Sequence, residues 1–516
     1  MKKATVIILS FFTILNSSLG QMSGASIDSL VKLTLSTFDV PGIAVGIVKD
    51  GKVIHAKGYG MRSLDTKLPV DAQTLFGIAS NSKAFTALGL GMMVDEGKIS
   101  WDDKVRDHLP SFKLYDPYVS DNFTIRDLLT HRSGLGLGAG DLMFFPDGNN
   151  FTREEIIHNL RYLKPVSGFR TKYDYDNNLY IVAGEVLAKV SGLSWEEFIE
   201  QRIMKPLGFD KSRASWARAK GNANIIDAHA PVDGVVKAIP HDWSETANAA
   251  GGIMSNIEDL SRWLIFQMDS GRYAGNKSLV SKNVLMETWT PQTIIPVRNR
   301  GTYNTNFAGY GLGWFVSDVA GKKQLQHSGG LLGTVTLTTF FPELKLGIIV
   351  LTNQQSGAAF NAITNTIKDS YLGVKGNDRV KQARGGVDQT REKARKITEA
   401  ILKKVDSSKR EKAIPSFLIY TGTYNDAWFG QVNIFEEGGN LRFSSKKSPR
   451  LKGTMHFYTG NTWVVKWDDR SFDADAFASF LLNEQGEASE FTMRAFSPLT
   501  DFSFDFHDLD FKKKEK

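Results

Sequence analysis

The chain has 516 residues, more than one ordinary domain holds, so two or three folding units are expected. Hydrophobic residues make up 41% and charged residues 23%, which excludes a largely disordered or collagen-like chain, and the absence of cysteine excludes disulfides, thiolate metal sites and cysteine nucleophiles. The net charge of +7 is local: residues 375–412 carry 13 Lys and Arg against 6 Asp and Glu, while Lys2 and Lys3 add two more positive charges. The remainder is slightly acidic. The basic stretch therefore reads as a solvated linker, and no nucleic-acid partner is expected.

In chain order, residues 1–20 read as a signal peptide. Lys2 and Lys3 give a positive start, residues 4–15 are apolar, and Ser18-Leu19-Gly20 places small residues before Gln21. The apolar stretch is shorter than the roughly 20 residues a bilayer span needs, and no later segment is long enough. The expectation is an exported protein, periplasmic or secreted, without a stable membrane span. A hairpin follows: strand 43–48, turn Asp50-Gly51, and a returning strand 52–59. Residues 80–96 predict a helix ended by Gly97; positions 84–94 carry no charge, so it is covered on most sides. Further helices are expected at 125–131, 178–190, 195–203 and 257–268, and strand pairs at 311–316 with 324–327 and 334–341 with 347–352. Hairpins at both ends with helices between predict an α/β (α+β) sandwich over residues 25–373, whose antiparallel sheet joins the two ends of the region.

Residues 374–412 form the charged linker, with a helical run at 390–405. Residues 415–516 look all-β. The 100 residues from Phe417 hold 20 aromatics, against 11% for the whole chain. Alternating runs such as Trp463-Val464-Val465-Lys466-Trp467 and Phe502-Ser503-Phe504-Asp505-Phe506 are separated by turn signals such as Glu437-Gly438-Gly439-Asn440. A small barrel or sandwich is expected, with no chemistry assigned to it.

Several reactive motifs are missing: G-x-S-x-G, H-E-x-x-H and G-x-x-x-x-G-K-[ST]. The nine histidines are scattered without metal-ligand spacing, so neither a metal nor a cofactor is expected. What remains is Ser80-Asn81-Ser82-Lys83. This spacing sets a hydroxyl and an amine one helical turn apart, with the serine at a helix start beside free N–H groups. Lys83 leads into the uncharged run, where burial disfavours the ammonium and lowers its pKa enough to make it a base. The pattern alone is common. Ser29-Leu30-Val31-Lys32 and Ser444-Ser445-Lys446-Lys447 match it and read as accidents, and a capping Ser80 with a surface Lys83 is the bland alternative.

Context favours the reactive reading. Residues 75–83, Leu-Phe-Gly-Ile-Ala-Ser-Asn-Ser-Lys, resemble the nucleophile segment of the serine β-lactamase and penicillin-recognising superfamily, in particular class C β-lactamases and their esterase and D-aminopeptidase relatives. Thr130-His131-Arg132-Ser133-Gly134-Leu135, Tyr175-Asp176-Asn177, Ala250-Gly251-Gly252-Ile253-Met254-Ser255 and His327-Ser328-Gly329-Gly330 resemble its other segments, in family order. The C-terminal region resembles the lipocalin-like barrel appended to some relatives.

The resemblance implies an acyl-enzyme on Ser80, with Lys83 and Tyr175, as phenolate or hydrogen-bonded phenol, moving the proton. It implies that Asn177 holds Lys83 and the acyl side of the substrate, and that the backbone N–H groups of Ser80 and Gly330, after His327 and Gly329, form the oxyanion hole. His131 and Ser133 belong to a structural turn. Many relatives place a lysine where His327 stands, and a mostly neutral imidazole weakens selection for free carboxylates. Esters, or amides of D-amino acids and small peptides, are therefore expected ahead of β-lactamase or D-Ala-D-Ala carboxypeptidase activity. An acylation-based sensor and a non-catalytic envelope binding protein are the readings from another class.

Overall fold

The computed structural model describes residues 21–241, 244–410 and 414–515; the expected signal peptide lies outside the described residues. The first element is helix α1 (Gly24–Phe38), capped by Ser23, whose side chain accepts from the Ser26 N–H. Strands β1 (Gly42–Lys49) and β2 (Lys52–Gly60) form the expected hairpin. Asp50 and Gly51 both take positive φ, as a two-residue hairpin turn demands. Helices α2 (Lys83–Asp95), α3 (Asn178–Ser191) and α4 (Ile257–Met268) follow. Strands β3 (Thr293–Ile295), β4 (Ala308–Tyr310), β5 (Phe315–Val319), β6 (Lys322–Leu331), β7 (Thr334–Phe341) and β8 (Leu346–Thr352) complete an eight-stranded sheet. Its order is β2-β1-β8-β7-β6-β5-β4-β3, antiparallel throughout. β1 pairs with β8, Ala44 opposite Leu351, so the sheet does join the two ends of the region.

The sheet is covered on both faces, and β1 shows how. Ile43, Val45 and Ile47 join one apolar cluster with Ile27 and Val31 of α1 and with Ile363 and Ile367 of helix α5 (Gly357–Leu372). Ala44 and Val48 point the other way, into the cluster that holds Leu260 and Trp263 of α4 and Phe85 and Leu88 of α2. That alternation is the period of two of a strand between two layers of helices. α2 sits deepest: every side chain from Lys83 to Met93 is buried, in keeping with its uncharged run.

Helix α6 (Arg379–Arg410) has 32 residues, twice the expected helical run of 390–405. Gly385 and Gly386 argue against a helix locally, but tertiary contacts outweigh their cost of about 1 kcal/mol each. Arg384 Nη1 donates to the Thr37 carbonyl of α1 at 2.6 Å, and Arg379 pairs with Asp369 of α5 at 2.7 Å. At its far end Ile401 and Val405 pack on Val464, and Ser408 Oγ donates to the Tyr458 carbonyl at 3.1 Å.

The C-terminal region is a closed barrel of eight consecutive strands, β9 (Gly422–Asp426) to β16 (Asp510–Lys513). Closure of β9 on β16 leaves no free edge. Its aromatic surplus fills the interior: Phe443, Trp463, Phe491 and Phe511 are buried, with the Phe491 and Phe511 rings stacked at 4.5 Å. The run 502–506 is not a strand. It is a turn that leads into the short helix Phe506–Asp508 and projects toward the larger domain.

Candidate active site

The nucleophile candidate stands on a turn whose shape is forced. Ala79 is buried at φ 48°, a left-handed conformation that costs a non-glycine residue about 1 kcal/mol or more. Residues Ala79–Ser82 then form a 3₁₀ turn before α2 begins, where the sequence predicts one continuous helix from 80. Asn81 Nδ2 donates to Thr336 Oγ1 of β7 at 2.9 Å and to the Ile78 carbonyl at 3.1 Å, and Thr336 Oγ1 donates to that same carbonyl at 3.0 Å. These bonds hold the turn against the sheet. Gly329 makes the approach possible, because a Cβ there would lie 2.2 Å from the Ile78 carbonyl oxygen.

Lys83 is fully buried. Its Nζ lies 2.9 Å from Ser80 Oγ, 2.7 Å from Asn177 Oδ1 and 2.9 Å from the Ala250 carbonyl oxygen. Burial drives its pKa from 10.5 to about 7, with the Asp141 and Asp176 charges resisting the fall. The neutral amine has two N–H donors and one lone pair. The two carbonyl oxygens can only accept, so they take both donors, and the lone pair is left facing Ser80. In that state the Ser80 hydroxyl donates to Lys83. The hydroxyl is thereby polarised along the bond a general base needs.

Tyr175 completes the cluster. Its ring centroid lies 4.9 Å from Lys83 Nζ and 4.2 Å from the His131 ring, and its hydroxyl faces Ser80. Burial holds the phenol well above its ordinary value, opposed by the Ser80 hydroxyl, so of the two expected forms the hydrogen-bonded phenol prevails over the phenolate. His131 Nδ1 accepts from the Asp176 N–H at 3.1 Å, and its ring packs against Tyr175. Asp176 Oδ1 accepts from the Leu179 N–H in the first turn of α3 at 3.3 Å, and its burial raises its pKa to about 7.

His327 is buried on β6. Its Nδ1 lies 2.6 Å from the Ser328 carbonyl oxygen, which only accepts, so Nδ1 carries the proton and Nε2 accepts from the Tyr310 hydroxyl at 2.9 Å. Burial and the Lys83 charge push its pKa down to about 3, so the imidazole is neutral. β5 stops pairing at Phe315 opposite Gln326, which leaves residues 327–331 of β6 as an open strand edge. Gly330 lies on this edge and lines the cavity together with Ser80.

The cavity holds about 350 Å³. Leu137, Phe144, Phe145, Tyr173, Phe315 and Phe502 supply apolar walls, and no lysine or arginine is among the lining residues. Asp501 is the charged one. The structure thus brings together Ser80, Lys83, Tyr175, Asn177, His327, Gly329 and Gly330. The two accidental matches stay apart from it: Ser29 Oγ donates back to the Ala25 carbonyl of α1, and Lys447 pairs with Glu155 at 2.5 Å.

Two residues the sequence did not single out belong to the cluster. Asp141, fully buried, accepts from Asn177 Nδ2 at 2.8 Å through its Oδ2. Ser503 of the barrel donates to the same oxygen at 2.8 Å. The barrel, to which the sequence assigned no chemistry, therefore lines the site with Asp501, Phe502 and Ser503. No short motif marks these positions.

Comparisons with known proteins bear on the family and the fold. The β-lactamase family profile matches residues 27–372, and a domain of unknown function, DUF3471, matches residues 409–513. The chain belongs to the β-lactamase family. Among curated proteins it is 27% identical to the unguisins hydrolase ungD' of Aspergillus campestris over 433 residues, 81% of this chain and 79% of that protein. It is 28% identical to the protein flp of Staphylococcus aureus strain COL over 339 residues, 65% of this chain and 64% of that one. Among solved structures, the octameric penicillin-binding protein homologue from Pyrococcus abyssi aligns with a TM-score of 0.61 at 23% identity, covering 95% of this chain and all of that one. A class C β-lactamase aligns with a TM-score of 0.55 at 22% identity, covering 68% of this chain and 96% of that one. Both structures share the fold.

Proposed function

We propose that the protein is an exported serine hydrolase that acts through an acyl-enzyme on small esters or on amides and peptides of D-amino acids. The observation that carries this reading is the buried Lys83 amine, whose Nζ lies 2.9 Å from Ser80 Oγ and also within hydrogen-bond reach of two oxygens that can only accept, Asn177 Oδ1 and the Ala250 carbonyl. Ser80 gives its proton to Lys83 Nζ as its Oγ bonds to the substrate carbonyl carbon. The carbonyl oxygen gains the negative charge and is held by the backbone N–H groups of Ser80 and Gly330. As the carbon–leaving-group bond breaks, the leaving group takes a proton passed from Lys83 through the Tyr175 hydroxyl. Water then loses a proton to the same base as its oxygen bonds to the acyl carbon, and as the bond to Ser80 Oγ breaks that proton returns from Lys83 to Oγ, which releases the acid and restores Ser80. Between Lys83 and Tyr175 the base role falls to Lys83, because the phenol keeps its proton near neutrality.

The substrate preference rests on charge. A substrate carboxylate meets a neutral His327 and, among the lining residues, no lysine or arginine. This supports esters and amides ahead of penicillins or a D-Ala-D-Ala terminus. The relative named unguisins hydrolase supports hydrolysis as the reaction class. The test is a panel of p-nitrophenyl acetate, D-alanine p-nitroanilide and nitrocefin, with wild type beside Ser80→Ala. Turnover of either of the first two, lost in Ser80→Ala, is expected. Nitrocefin turnover far faster than both refutes the preference, and full activity in Ser80→Ala refutes the mechanism. Export is tested by N-terminal sequencing of the mature protein, which is expected to begin at Gln21.

A further inference from the structure

Asp141 and Ser503 are 362 residues apart in the chain and 2.8 Å apart in the fold. Asp141 Oδ2 accepts from Ser503 Oγ on one side and from Asn177 Nδ2 on the other, and Asn177 Oδ1 accepts from Lys83. The result is one unbroken run of buried hydrogen bonds from the barrel to the base. The junction is clamped on either side of Ser503. Asp505 Oδ2 accepts from the Gly140 N–H at 2.6 Å, and the Phe502 ring meets Tyr175 edge-on at 5.8 Å. Gly138, at φ 71°, leaves room for this segment: a Cβ there would lie 2.8 Å from the Phe502 ring.

An amide has two ends of similar shape, and only one of them suits Lys83. If Asn177 flipped, its Nδ2 hydrogens would face the N–H groups of the amine, and the lone pair would lose its direction. A carboxylate at 141 prevents the flip because it only accepts. Burial pushes Asp141 well above the ordinary carboxylate range, and the Ser503 and Asn177 donors oppose that push. Without the hydroxyl, Asp141 takes up a proton more readily, and a protonated carboxyl, which can donate as well as accept, specifies the amide less strictly.

We propose that the barrel completes the active site, with Ser503 as a positioning residue that acts through Asp141 to fix the Asn177 amide and thereby the lone-pair direction of Lys83. This deepens the hydrolase reading and rests on it for its catalytic meaning. The groups that face Lys83 are Asp141, Asp176, His131, His327, Tyr175 and Tyr180. Loss of the Ser503 bond favours neutral Asp141, removes a charge that sustains the ammonium, and moves the Lys83 titration to lower pH.

The experiment uses the full chain with Ser503→Ala, Ser503→Thr, Asp141→Asn and the Ser503→Ala/Asp141→Asn double variant. Three quantities are read: the rate of labelling by a fluorophosphonate, the Lys83 titration midpoint by NMR of 13Cε-labelled lysine, and the melting temperature. Ser503→Ala is expected to slow labelling about tenfold, the worth of one hydrogen bond to a charged group, with a melting temperature within a few degrees of wild type. Its midpoint moves down, and Ser503→Thr restores both rate and midpoint. In the Asp141→Asn background the same change adds nothing. An unchanged midpoint in Ser503→Ala, or equal rate losses in the two backgrounds, overturns the proposal. A wild type that never labels while the midpoint still shifts refutes the hydrolase reading and leaves the relay standing. Normal labelling with a fixed midpoint does the opposite. Should Ser503→Ala not fold, Ser503→Cys, a weaker donor of similar bulk, serves the same comparison.

Discussion

Acidifying the protein from pH 7.5 to 5.5 disarms Ser80 without altering the fold, and the size of the loss follows from one side chain. Lys83 acts as a base only when neutral, and its pKa is lowered from 10.5 to about 7. At pH 7.5 roughly three quarters of the molecules hold the neutral amine, and at pH 5.5 about 3% do, a loss of about 25-fold. A lysine left at its ordinary value is neutral in only about one molecule in a thousand at pH 7.5, so burial multiplies the base population several hundred-fold. The sign is fixed by the role: reactivity is present above pH 7 and is lost as pH falls through it. His131 and His327 are both held below their ordinary values and do not titrate in this window, but Asp176, at about 7, does. The measured midpoint therefore belongs to the cluster of Lys83, Asp176 and Asp141, the last also held well above its ordinary range by burial. The assay is the second-order rate of fluorophosphonate labelling from pH 5 to 9, in which Ser80 Oγ displaces fluoride from phosphorus and its proton goes to Lys83. Asp176→Asn, which removes a charge that favours the ammonium, moves the midpoint down. A rate that stays level from pH 8 to 5, or a midpoint that rises in Asp176→Asn, refutes the reasoning.

The same depressed pKa makes the native state bind fewer protons than the unfolded chain between pH 7 and 10.5, so stability rises with pH across that window. Lys83→Met abolishes labelling, yet at pH 6 it gains about 1–3 kcal/mol in denaturant unfolding, after the bonds to Asn177 and Ala250 are discounted, and the gain shrinks toward pH 10; a variant less stable than wild type at every pH contradicts this. Gly329→Ala sets a Cβ 2.2 Å from the Ile78 carbonyl oxygen and is expected to cost at least about 100-fold in labelling rate, whereas Gly330→Ala, whose Cβ meets nothing within 4 Å and which keeps its N–H, stays within about tenfold. Tyr175→Phe keeps the ring on His131 but loses the hydroxyl, so kcat on p-nitrophenyl acetate falls about 100-fold or more, with a melting temperature within about 2 °C of wild type.

What the sequence made legible is what short range controls. Helix α4 was expected at 257–268 and spans Ile257–Met268; the structure adds its cap, Asn256, whose side chain accepts from the Asp259 N–H. The β1–β2 hairpin was readable from its Asp50-Gly51 turn, and the β7–β8 pair was expected at 334–341 with 347–352. The misses come from long-range contact. A strand expected at 311–316 begins only at Phe315, because Gly311-Leu312-Gly313 bends across the start of α2. A Cβ on Gly313, at φ 82°, would lie 2.8 Å from the Ala84 Cα. The alternation of 502–506 has the period of a strand, but Phe502 and Phe504 reach the larger domain, at Tyr175 and Phe145, while Phe506 stacks on Trp467 of the barrel at 5.5 Å. Asp141 sits in a Gly-rich turn with no motif, and only the folded chain shows that Asn177 reaches it.

Helix α6 sets the mechanics of the whole molecule. At about 1.5 Å per residue its 32 residues make a strut close to 48 Å long, fastened to the hydrolase domain at one end and to the barrel wall at the other. The ion pairs Arg450–Asp147 and Lys447–Glu155 fasten the barrel directly to the hydrolase domain as well. A body braced at separate points cannot swing like a door. The stretch Asp501-Phe502-Ser503, which walls the cavity from the barrel side, is held in place by the same braces.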